Sequence, residues 1–588
     1  MKQFFKFMFA SMLGFFLTFV LLLFIMIGII AGMASRDPVR VADQSVLHLT
    51  LTTEIVDRGG GSPFESFDFM SFSPSRAIGL NDILEALEKA ADDDKIEGVF
   101  LDLSIVAGGW STVDEIRTAI NAFKEETGKF VVSYGEMYMQ NAYYLGSVAD
   151  ELYLHPEGAI DFRGINSELA FLKNMLDKLG IDPQVIRYGE YKSAGEPLFR
   201  EDMSEENREQ IRSYINAIWN NVLSDIATSR GLTVNHVNEA ADNLWTRNAE
   251  LALEHQMVDG LLYRDELYDV LRGHIGLEED EDIEFITLGS YVDAPDPADF
   301  IRSDADEKIA IVYASGNIIS GQGGDRTIGS DRIAKALRQA RLDEDVKAIV
   351  FRINSPGGSA LASDVILREV ALAAQEKPVV ASMGDVAASG GYYIACAADY
   401  IMASPNTITG SIGVFGMIPN MQEFFNEKIG ITFDNVKTNV HSDLGSVSRP
   451  LTAREREIIK EGIADVYYTF IGHVAEGRNI TESRADELGR GRVWSGTEAK
   501  QHGLVDGYGG MRMAVHKAAE LAELVDYQTV EYPIRKDFIT QLMEGFGGVR
   551  ERRIEEALGN NYRYYRQLQD VQEMTGILTR LPYDIHLE

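Results

Sequence analysis

A serine flanked by small residues is the first candidate for chemistry in this sequence of 588 residues. Ser389 follows an apolar strand pattern at residues 379–382 and precedes a helical run at residues 392–398. Gly390 and Gly391 come next, and residues without a Cβ let a substrate backbone approach a neighbouring hydroxyl. A serine in such a position most often only caps the helix. Ser389 is therefore a candidate nucleophile only if a base lies beside it.

The best candidate for that base is a lysine. No histidine occurs between Ser389 and His441, so a Ser-His-Asp triad has little support. Lys192 lies in the run YGEYKSAGEP at residues 188–197. Burial lowers the pKa of a lysine amine toward neutral pH, and a neutral amine can take the proton of a serine hydroxyl. The competing interpretation of Lys192 is an ordinary solvated lysine, which is what most lysines are.

A glycine turn offers backbone N–H groups for an oxyanion. An apolar strand pattern ends at Ile353 and runs into NSPGG at residues 354–358. Gly357 and Gly358 carry no Cβ, so their N–H groups could hydrogen-bond the oxygen that becomes negative during acyl transfer. The competing interpretation is a tight turn that binds nothing.

An internal repeat explains how these distant residues could meet. Four sequence blocks recur in the same order, and they begin at Val46 and Ile309, at Ile78 and Ile328, at Lys129 and Lys377, and at Leu253 and Lys500. At the place of Ser389 the first copy carries Gln140, and near the place of Lys192 the second copy carries His441. One copy has the serine and the other has the lysine, so a single site is predicted to span both copies.

The repeated blocks predict an α/β fold of two tandem domains. Helical patterns alternate with apolar strand patterns, which favours parallel sheets joined by right-handed crossovers. The length agrees, because a single core rarely exceeds about 250 to 300 residues. The predicted parts are a cytoplasmic tip with a transmembrane anchor (1–36), a first domain with the lysine (41–280), a linker (281–307), a second domain with the serine (308–519) and a helical extension (520–588).

The amino-terminal segment is predicted to anchor the chain in a lipid bilayer. Residues 7–33 carry no charged side chain, and this run exceeds the roughly 20 residues that cross a bilayer. A cleaved signal peptide usually has a shorter apolar core and a small-residue cleavage site, so we favour a retained anchor over that alternative. Lys2 and Lys6 precede the run, and the positive-inside rule then places everything after Arg36 outside the cytoplasm.

Composition excludes several classes of function. With 55 Lys and Arg against 91 Asp and Glu, the formal charge is −36, which would repel nucleic acids. A mean hydropathy of −0.11 argues against a polytopic membrane protein. The one cysteine, Cys396, can form neither an internal disulfide nor a cysteine metal cluster. We therefore expect a largely soluble, acidic body with no nucleic acid partner and no cysteine-cluster metal site.

Four motifs together give the chain a family resemblance. They are NSPGG (354–358), ASGGYY (388–393), TGSIGV (409–414) and YGEYKSAGEP (188–197), on a duplicated chain behind one apolar span. This combination resembles the bacterial signal peptide peptidase A family of the long type, also called protease IV. The resemblance implies a fold similar to the ClpP/crotonase type of stacked ββα units and a homotetramer on the bacterial inner membrane. It also implies a serine endopeptidase that degrades signal peptides left in the membrane.

The resemblance further implies a role for each motif. A Ser/Lys dyad would cleave peptide bonds without a metal or a cofactor. The implied roles are Ser389 as nucleophile, Lys192 as general base, Ser411 as the hydroxyl that orients the lysine, and the N–H groups of Gly357, Gly358 and Gly390 as the oxyanion hole. Apolar peptides are the implied substrates, and the acidic body should disfavour acidic ones.

Two other functions stay open at this point. A crotonase-like acyl-CoA enzyme would use the same fold and would polarise a thioester with paired glycine N–H groups. CoA is a cytoplasmic cofactor, however, and the predicted body lies outside the cytoplasm. A membrane-anchored scaffold built from degenerate protease domains would need no catalytic residues. Labelling of Ser389 by a serine-reactive probe, lost when Lys192 is replaced by Ala, would exclude both.

Overall fold

The chain folds as an α/β protein, as the repeat predicts. The structure is a computed structural model, and it describes residues 2–34, 39–59, 67–68, 73–74, 77–295, 305–324, 326–534 and 576–581. Much of the segment predicted as a helical extension lies outside the described residues, but its described parts include two strands. The Tyr- and Arg-rich pattern at residues 550–572, on which the helical prediction depends, lies outside the described residues. The domain limits given above stay a prediction.

Helices and strands alternate along both copies. The helices are Lys2–Ala34, Leu80–Asp92, Trp110–Thr127, Gln140–Gly146, Lys173–Leu179, Glu196–Phe199, Glu205–Arg230, Val234–Asp242, Ala249–Glu254, Arg264–Ile275, Leu288–Val292, Ser330–Leu342, Ala360–Ala374, Gly390–Ala395, the π-helix Phe424–Ile429, Ala453–Gly477, Glu482–Leu488, Gly496–Gln501 and Met511–Leu521. The strands are β1 (Ser45–Leu49), β2 (Ile55–Val56), β3 (Phe67–Asp68), β4 (Ser73–Pro74), β5 (Ile78–Gly79), β6 (Ile96–Asp102), β7 (Phe130–Tyr138), β8 (Glu151–Ile160), β9 (Asp182–Tyr188), β10 (Gly260–Leu261), β11 (Phe285–Thr287), β12 (Lys308–Ser315), β13 (Asn317–Ile319), β14 (Thr327–Gly329), β15 (Val346–Ser355), β16 (Gly357–Ser359), β17 (Val379–Ala388), β18 (Tyr400–Ala403), β19 (Ile408–Gly410), β20 (Val414–Asn420), β21 (Val493–Ser495), β22 (Gly507–Tyr508), β23 (Gln528–Tyr532) and β24 (Gly576–Arg580).

The first copy builds a parallel sheet. Its strand order is β10-β8-β7-β6-β1-β11, and every neighbouring pair is parallel. Val131 and Val132 on β7 are both fully buried, and they belong to hydrophobic cores on opposite faces of the sheet. Burial on both faces explains the continuous apolar strand patterns of the sequence. β11 lies within the segment predicted as a linker, so that segment begins by completing this sheet.

The second copy builds the sheet that positions the serine. Its strand order is β21-β19-β17-β15-β12-β23, while β18 pairs with β17 and β22 pairs with β18. β15 and β17 are parallel neighbours, so their carboxyl ends meet at one edge of the sheet. The glycine turn follows β15 at Ser355, and Ser389 follows β17 at Ala388. The fold therefore brings the predicted oxyanion turn to the predicted nucleophile.

A third sheet joins the two copies. Its strand order is β14-β13-β16-β24-β20-β9. β9 belongs to the first copy and pairs antiparallel with β20 of the second, from Asp182 opposite Asn420 to Tyr188 opposite Val414. In this register the residues that follow β9 lie beside those that precede β20. Main-chain hydrogen bonds thus fix one copy against the other at a defined position.

A buried ion cluster also ties the copies together. Arg352 on β15 is fully buried and lies 2.7 Å from Asp57 Oδ1 and 2.7 Å from Glu115 Oε1, two carboxylates of the first copy. Burial alone would raise the pKa of Asp57, but the Arg352 guanidinium holds it below its usual range. Removing one partner of such a set leaves a buried charge unpaired, which typically costs about 3 to 5 kcal/mol.

The amino-terminal helix Lys2–Ala34 could cross a membrane by its length and composition. Its segment Gln3–Leu21 has a mean hydropathy of 1.9 and is not buried against the rest of the chain. Signal sequences near an amino terminus pass the same test, so the anchor and its orientation stay a proposal.

Candidate active site

Lys192, Ser389 and Ser411 meet in the interior although they lie far apart in the sequence. Lys192 Nζ lies 2.8 Å from Ser389 Oγ and 3.0 Å from Ser411 Oγ. It also donates to the Ser411 carbonyl oxygen over 3.1 Å. All three residues are fully buried. The structure therefore brings together the serine, the lysine and the second hydroxyl that the sequence indicates.

The strand pairing between the copies is what carries the lysine to the serine. Lys192 follows the end of β9 at Tyr188, and Ser411 precedes the start of β20 at Val414. Because Tyr188 lies opposite Val414, the two loops run side by side. The lysine of one copy thereby enters the site of the other.

Bare glycine backbone lets the lysine pass close to the second copy. Gly491 has a φ of +84°, and a Cβ there would lie 2.5 Å from both Cα and N of Lys192. A Cβ at Gly413 would lie 3.1 Å from Lys192 Cδ. Any larger residue at Gly491 would displace the lysine backbone. Gly413 belongs to the TGSIGV motif, whereas Gly491 lies in no motif and was missed by the sequence analysis.

Ser389 is held in a strained backbone conformation. Its φ is +56° and its ψ is −113°, a region that residues other than glycine rarely adopt. Its N–H donates to the Gly410 carbonyl over 2.7 Å, directly before the helix Gly390–Ala395. The side chain does not cap that helix and lies against Lys192. The interpretation of Ser389 as a simple N-cap is therefore wrong, and such strain is typical of functional sites.

Burial sets the protonation of the lysine. Desolvation lowers the pKa of Lys192 well below its ordinary value of 10.5, because the charged form loses its hydration. Among the described residues, no carboxylate offsets this effect by stabilising the charged amine. A neutral amine has a lone pair that can accept the proton of Ser389. The interpretation of Lys192 as a solvated side chain is wrong.

The glycine turn lies beside the serine. Gly357 has a φ of +101°, and a Cβ on it would lie 2.7 Å from the Gly390 nitrogen. The N–H of Gly357 donates to Ser355 Oγ over 3.1 Å, so this donor already has a partner. The structure thus gathers the predicted oxyanion glycines in one place, with Gly357 engaged in shaping the turn.

A strand from the far end of the chain runs along the same turn. β24 pairs antiparallel with β16 on one side and with β20 on the other. Gly358 lies opposite Thr579, and a Cβ at Gly357 or Gly390 would contact the Thr579 carbonyl oxygen. That oxygen therefore lies beside two of the glycines that the sequence proposes as oxyanion donors. The sequence analysis missed this contact, because a distant short strand carries no signal of where it pairs.

A buried polar network supports the lysine loop. Glu196 is fully buried and accepts hydrogen bonds from Ser204 Oγ over 2.6 Å and from Arg187 Nη1 over 3.1 Å. Arg187 Nη1 also donates to the Lys192 carbonyl over 3.0 Å. Asn207 Nδ2 donates to the same glutamate over 3.1 Å. A buried network in which the members satisfy one another rigidifies the segment that it holds.

Gln210 connects that loop to the second copy. Its Nε2 donates to the Tyr191 carbonyl over 3.2 Å and to Ser193 Oγ over 3.0 Å, on either side of Lys192. Its Oε1 accepts the N–H of Val493 over 3.1 Å. The sequence analysis also missed Gln210, because a glutamine on a mixed helix face looks solvated until its contacts are known.

These contacts define a class of protein. A fully buried serine next to a lysine of lowered pKa, with a glycine turn beside them, is an arrangement that suits a serine hydrolase without a catalytic histidine. The profile of Peptidase family S49 matches the chain twice, at residues 123–278 and at residues 371–525. The chain belongs to Peptidase family S49 and is a serine-type peptidase.

Named relatives extend the match over most of the chain. Protease 4 of Haemophilus influenzae is 38% identical over 456 residues, which cover 76% of this chain and 73% of the relative. Protease 4 of Salmonella typhi is 37% identical over 82% of this chain and 78% of its own. The Arabidopsis thaliana protein named Serine protease SPPA, chloroplastic, is 35% identical over 82% of this chain and 70% of its own. The resemblance to the protease IV and signal peptide peptidase A type is confirmed.

The two family matches fall in different copies, which confirms the duplicated organisation. A solved structure of ClpP1 from Listeria monocytogenes covers 37% of this chain and 98% of its own, at 17% identity and a TM-score of 0.24. A likeness of that size leaves the ClpP/crotonase type and its ββα units a prediction.

Other reactive side chains take no part in this site. The side chain of His441 is 43% exposed and lies 3.7 Å from Glu455. Cys396 is buried, and burial raises the pKa of its thiol to about 12, which makes it a poor nucleophile. In the part of the chain that the structure describes, no group of three or more His, Cys, Asp or Glu side chains could hold a metal ion.

Proposed function

We propose that the protein is an endopeptidase in which Ser389 attacks a peptide carbonyl and Lys192 is the general base. The neutral Lys192 amine takes the Ser389 proton as Oγ bonds to the carbonyl carbon, and it returns that proton to the departing amine. The Ser411 hydroxyl keeps the amine aimed at Ser389. The observation that carries this proposal is the 2.8 Å approach of Nζ to Oγ in a fully buried site.

The glycine backbone completes the proposed mechanism. The N–H groups of Gly358 and Gly390 stabilise the oxyanion, while Gly357 leaves room for it. Loss of one such donor typically costs about 100- to 1,000-fold in kcat. Water then attacks the acyl-enzyme with Lys192 again as base, and Ser389 is restored. The scheme involves neither a metal nor a cofactor.

A serine-reactive probe tests the dyad. In the full-length protein a fluorophosphonate should label Ser389, and both Ser389→Ala and Lys192→Ala should lose labelling and peptide cleavage while keeping a native circular dichroism spectrum. Lys129→Ala is the matched control, because partial burial also lowers the pKa of Lys129 at a site in the first copy away from the dyad. Full labelling of Lys192→Ala would overturn the dyad.

We propose that the substrates are apolar peptides bound as extended strands. β24 lies as an antiparallel strand between β16 and β20, which supports a site that accepts a strand. Signal peptides left in the membrane after preprotein processing fit this description, and the charge of −36 disfavours acidic peptides. A synthetic signal peptide should be cleaved at least about tenfold faster than the same peptide with three added aspartates. Equal rates would contradict this proposal.

The proposed location follows from the amino-terminal helix. We propose that residues 7–33 cross the bacterial inner membrane and that the body lies on the extracytoplasmic side. The support is the length and hydropathy of the helix together with the positive charges before it. Added trypsin should digest the body in intact spheroplasts. Digestion only after lysis would place the body in the cytoplasm.

The repeat also supports a proposal on assembly. In the second copy, the segment at the place of β9 is an exposed coil at residues 431–437, in which Phe433 is 54% exposed. In the first copy, the segment at the place of β20 is also a coil, at residues 165–171. We propose that these two segments pair between successive chains, as β9 and β20 pair within one chain. A head-to-tail contact of this kind closes into a ring, and the family resemblance favours a homotetramer.

Native mass spectrometry tests this assembly. Phe433→Asp should convert the tetramer to smaller species. Leu342→Asp is the matched control, because Leu342 is 62% exposed on a different surface, and it should leave the assembly intact. A tetramer that survives Phe433→Asp would contradict the proposed pairing.

A further inference from the structure

A cluster of buried apolar side chains surrounds Leu578 of β24 beside the site, and we call the space that this leucine fills the pocket. Its walls come from both copies, and they are Leu176, Ala194 and Leu198 of the first copy and Phe415 and Met417 of the second. Leu578 of β24 packs into this pocket and is 9% exposed. The pocket therefore holds a leucine side chain that arrives on an extended strand.

The register of β24 identifies which substrate side chain would enter. Thr579 lies opposite Gly358, with its carbonyl oxygen beside Gly357 and Gly390. Leu578 directly precedes Thr579 and lies opposite Phe415. A peptide bound in this register places the carbonyl under attack where the Thr579 carbonyl lies. The side chain of the preceding residue then enters the pocket.

We propose that this pocket is a specificity site for the residue that precedes the one whose carbonyl is attacked, and that it takes an apolar side chain of the size of leucine. The proposal rests on the peptidase function proposed above and names a substrate feature that the same site reads. The side chains of this cluster are apolar, and Arg187, which lies opposite Phe415 in the strand register, is already paired with Glu196. A charged side chain would lose its hydration there without gaining a partner, and a small one would leave space unfilled.

The first copy contributes more than a base to this site. Ala194 lies in the same loop as Lys192, and Leu198 lies in the short helix Glu196–Phe199 that follows it. The network around Glu196 holds this helix and the lysine together. The wall that selects the side chain and the base that activates Ser389 are therefore parts of one rigid segment.

The same geometry implies that residues 576–581 compete with substrate peptides for the space between β16 and β20. β24 occupies the path of the proposed substrate strand, so it must leave before a peptide can bind. Leu578→Asp weakens its docking, because the carboxylate cannot be hydrated in the pocket. This variant should lower the KM for added peptides about three- to tenfold while leaving kcat unchanged. An unchanged KM would show that Leu578 does not hold the tail in the substrate path, and it would overturn the proposal.

Peptides built on the tail test the pocket directly. Each peptide has the sequence GILTRL of residues 576–581, and the leucine that corresponds to Leu578 is kept or replaced by Ala, Phe, Asn or Asp. The five peptides are incubated with the full-length protein. We expect cleavage between Thr and Arg, detected by mass spectrometry, with kcat/KM for Leu at least about tenfold above that for Asp or Asn. Cleavage at another bond would overturn the register.

Variants of the pocket wall sharpen the test. Leu198→Ala enlarges the pocket and should shift the preference from Leu toward Phe by at least about fivefold. Met417→Ala should shift it in the same direction and serves if the first variant does not fold. Leu271→Ala is the matched control, because it truncates a fully buried leucine in a separate core of the first copy. It should leave the order of preference unchanged.

Two kinds of failure are distinguishable. Equal cleavage of all five peptides, with Ser389 still labelled by a fluorophosphonate, would overturn the pocket and leave the peptidase function standing. An unchanged ratio of kcat/KM for the Leu and Phe peptides in Leu198→Ala would do so too. Absence of labelling in the unchanged protein would overturn the peptidase function itself.

Discussion

The two copies share a strand that runs into a helix, yet only the second carries a serine at the junction. In the second copy the chain bends at Ser389, with φ +56°, and the helix begins at Gly390. In the first copy the chain passes through Met139 with φ −73°, and the helix begins at Gln140. The left-handed bend that presents a hydroxyl is therefore absent from the described junction of the first copy.

Amide side chains occupy the corresponding space in the first copy. Gln140 Nε2 donates to the Gly164 carbonyl over 3.2 Å, and its Oε1 accepts the Gly164 N–H over 2.9 Å. Asn141 Nδ2 donates to the Gly108 carbonyl over 2.9 Å. The place that Ser389 and Gly390 occupy in the second copy is closed by internal hydrogen bonds in the first.

The glycine turn also differs in use between the copies. In the first copy Thr112 donates its N–H over 2.9 Å and its hydroxyl over 2.7 Å to Asp385 of the second copy. A Cβ at Gly109 would overlap the Asp385 carboxylate. The same turn is an interface in one copy and borders the serine in the other. The first copy thus supplies the lysine and a surface that contacts the second copy, and the second copy supplies the serine.

Removing the lysine should have the largest effect. Lys192→Met should lower kcat/KM by about 100- to 10,000-fold, since it deletes the proposed general base. It should also raise the thermal unfolding midpoint at pH 7. The lysine is protonated in the unfolded chain below pH 10.5 and neutral in the fold, so the unfolded state binds more protons and stability rises with pH across that window.

The stability gain should shrink as pH rises toward 10.5. The gain in the free energy of unfolding is about 1.4 kcal/mol for each pH unit by which the solution lies below pH 10.5. Below the pKa that Lys192 has in the fold, the gain no longer grows. Differential scanning calorimetry of both proteins between pH 6 and 10 measures it. A gain that is the same at every pH would mean that Lys192 is charged in the fold.

Loosening the lysine loop should have the next largest effect. Gln210→Leu removes the link between Tyr191 and Val493 and should lower kcat by about 100-fold with a smaller change in KM, because the amine is misplaced. In this variant the rise of kcat with pH should occur at higher pH. Water that enters a looser loop hydrates the charged amine of Lys192 and so raises its pKa. Gln140→Leu is the matched control, because that glutamine makes similar bonds in the first copy. Equal effects of the two variants would contradict a positioning role.

Removing the contact between Thr112 of the first copy and Asp385 of the second should lower stability rather than activity. Asp385→Ala leaves the buried N–H of Thr112 without a partner, which should cost about 1 to 3 kcal/mol in the free energy of unfolding. Asp345→Ala, which removes an exposed ion pair with Lys308, should cost much less, because solvent screens such a pair. Urea titrations measure both. A loss of labelling at Ser389 in folded Asp385→Ala would show that the Thr112–Asp385 contact is needed for the reactivity of Ser389.

Copying the serine into the first copy should have the smallest effect. Gln140→Ser should give no labelled residue and no activity in a Ser389→Ala background, because the described junction of the first copy lacks the left-handed bend of Ser389. Mass spectrometry of the probe-treated protein reads this out. Labelling at residue 140 would show that the two copies are equivalent and would undo the comparison.

Residues with a local signature could be predicted from the sequence. Ser389 and Lys192 each lie in a short motif, and the repeat shows that they come from different copies. The alternation of helices and strands is equally local, so the α/β class followed. Glycines beside a strand end are a further local signal, which led to the turn at Gly357.

Long-range contacts could not be predicted in the same way. The pairing of β9 with β20 joins strands whose patterns do not name a partner. Gln210 and Gly491 act through contacts with distant backbone, and neither residue type signals burial or close approach. The pocket around Leu578 is assembled from both copies and the tail, so no segment of the chain contains it.

The pH dependence of peptide cleavage is the most direct test of the proposed Ser389–Lys192 dyad. We expect kcat/KM of the full-length protein to rise with pH along a single limb whose apparent pKa lies well below 10.5, as the amine of Lys192 loses its proton. In Lys192→Ala the small remaining rate should lack that limb. A limb of unchanged position in Lys192→Ala, or full activity without the lysine, would contradict a dyad built from the two copies.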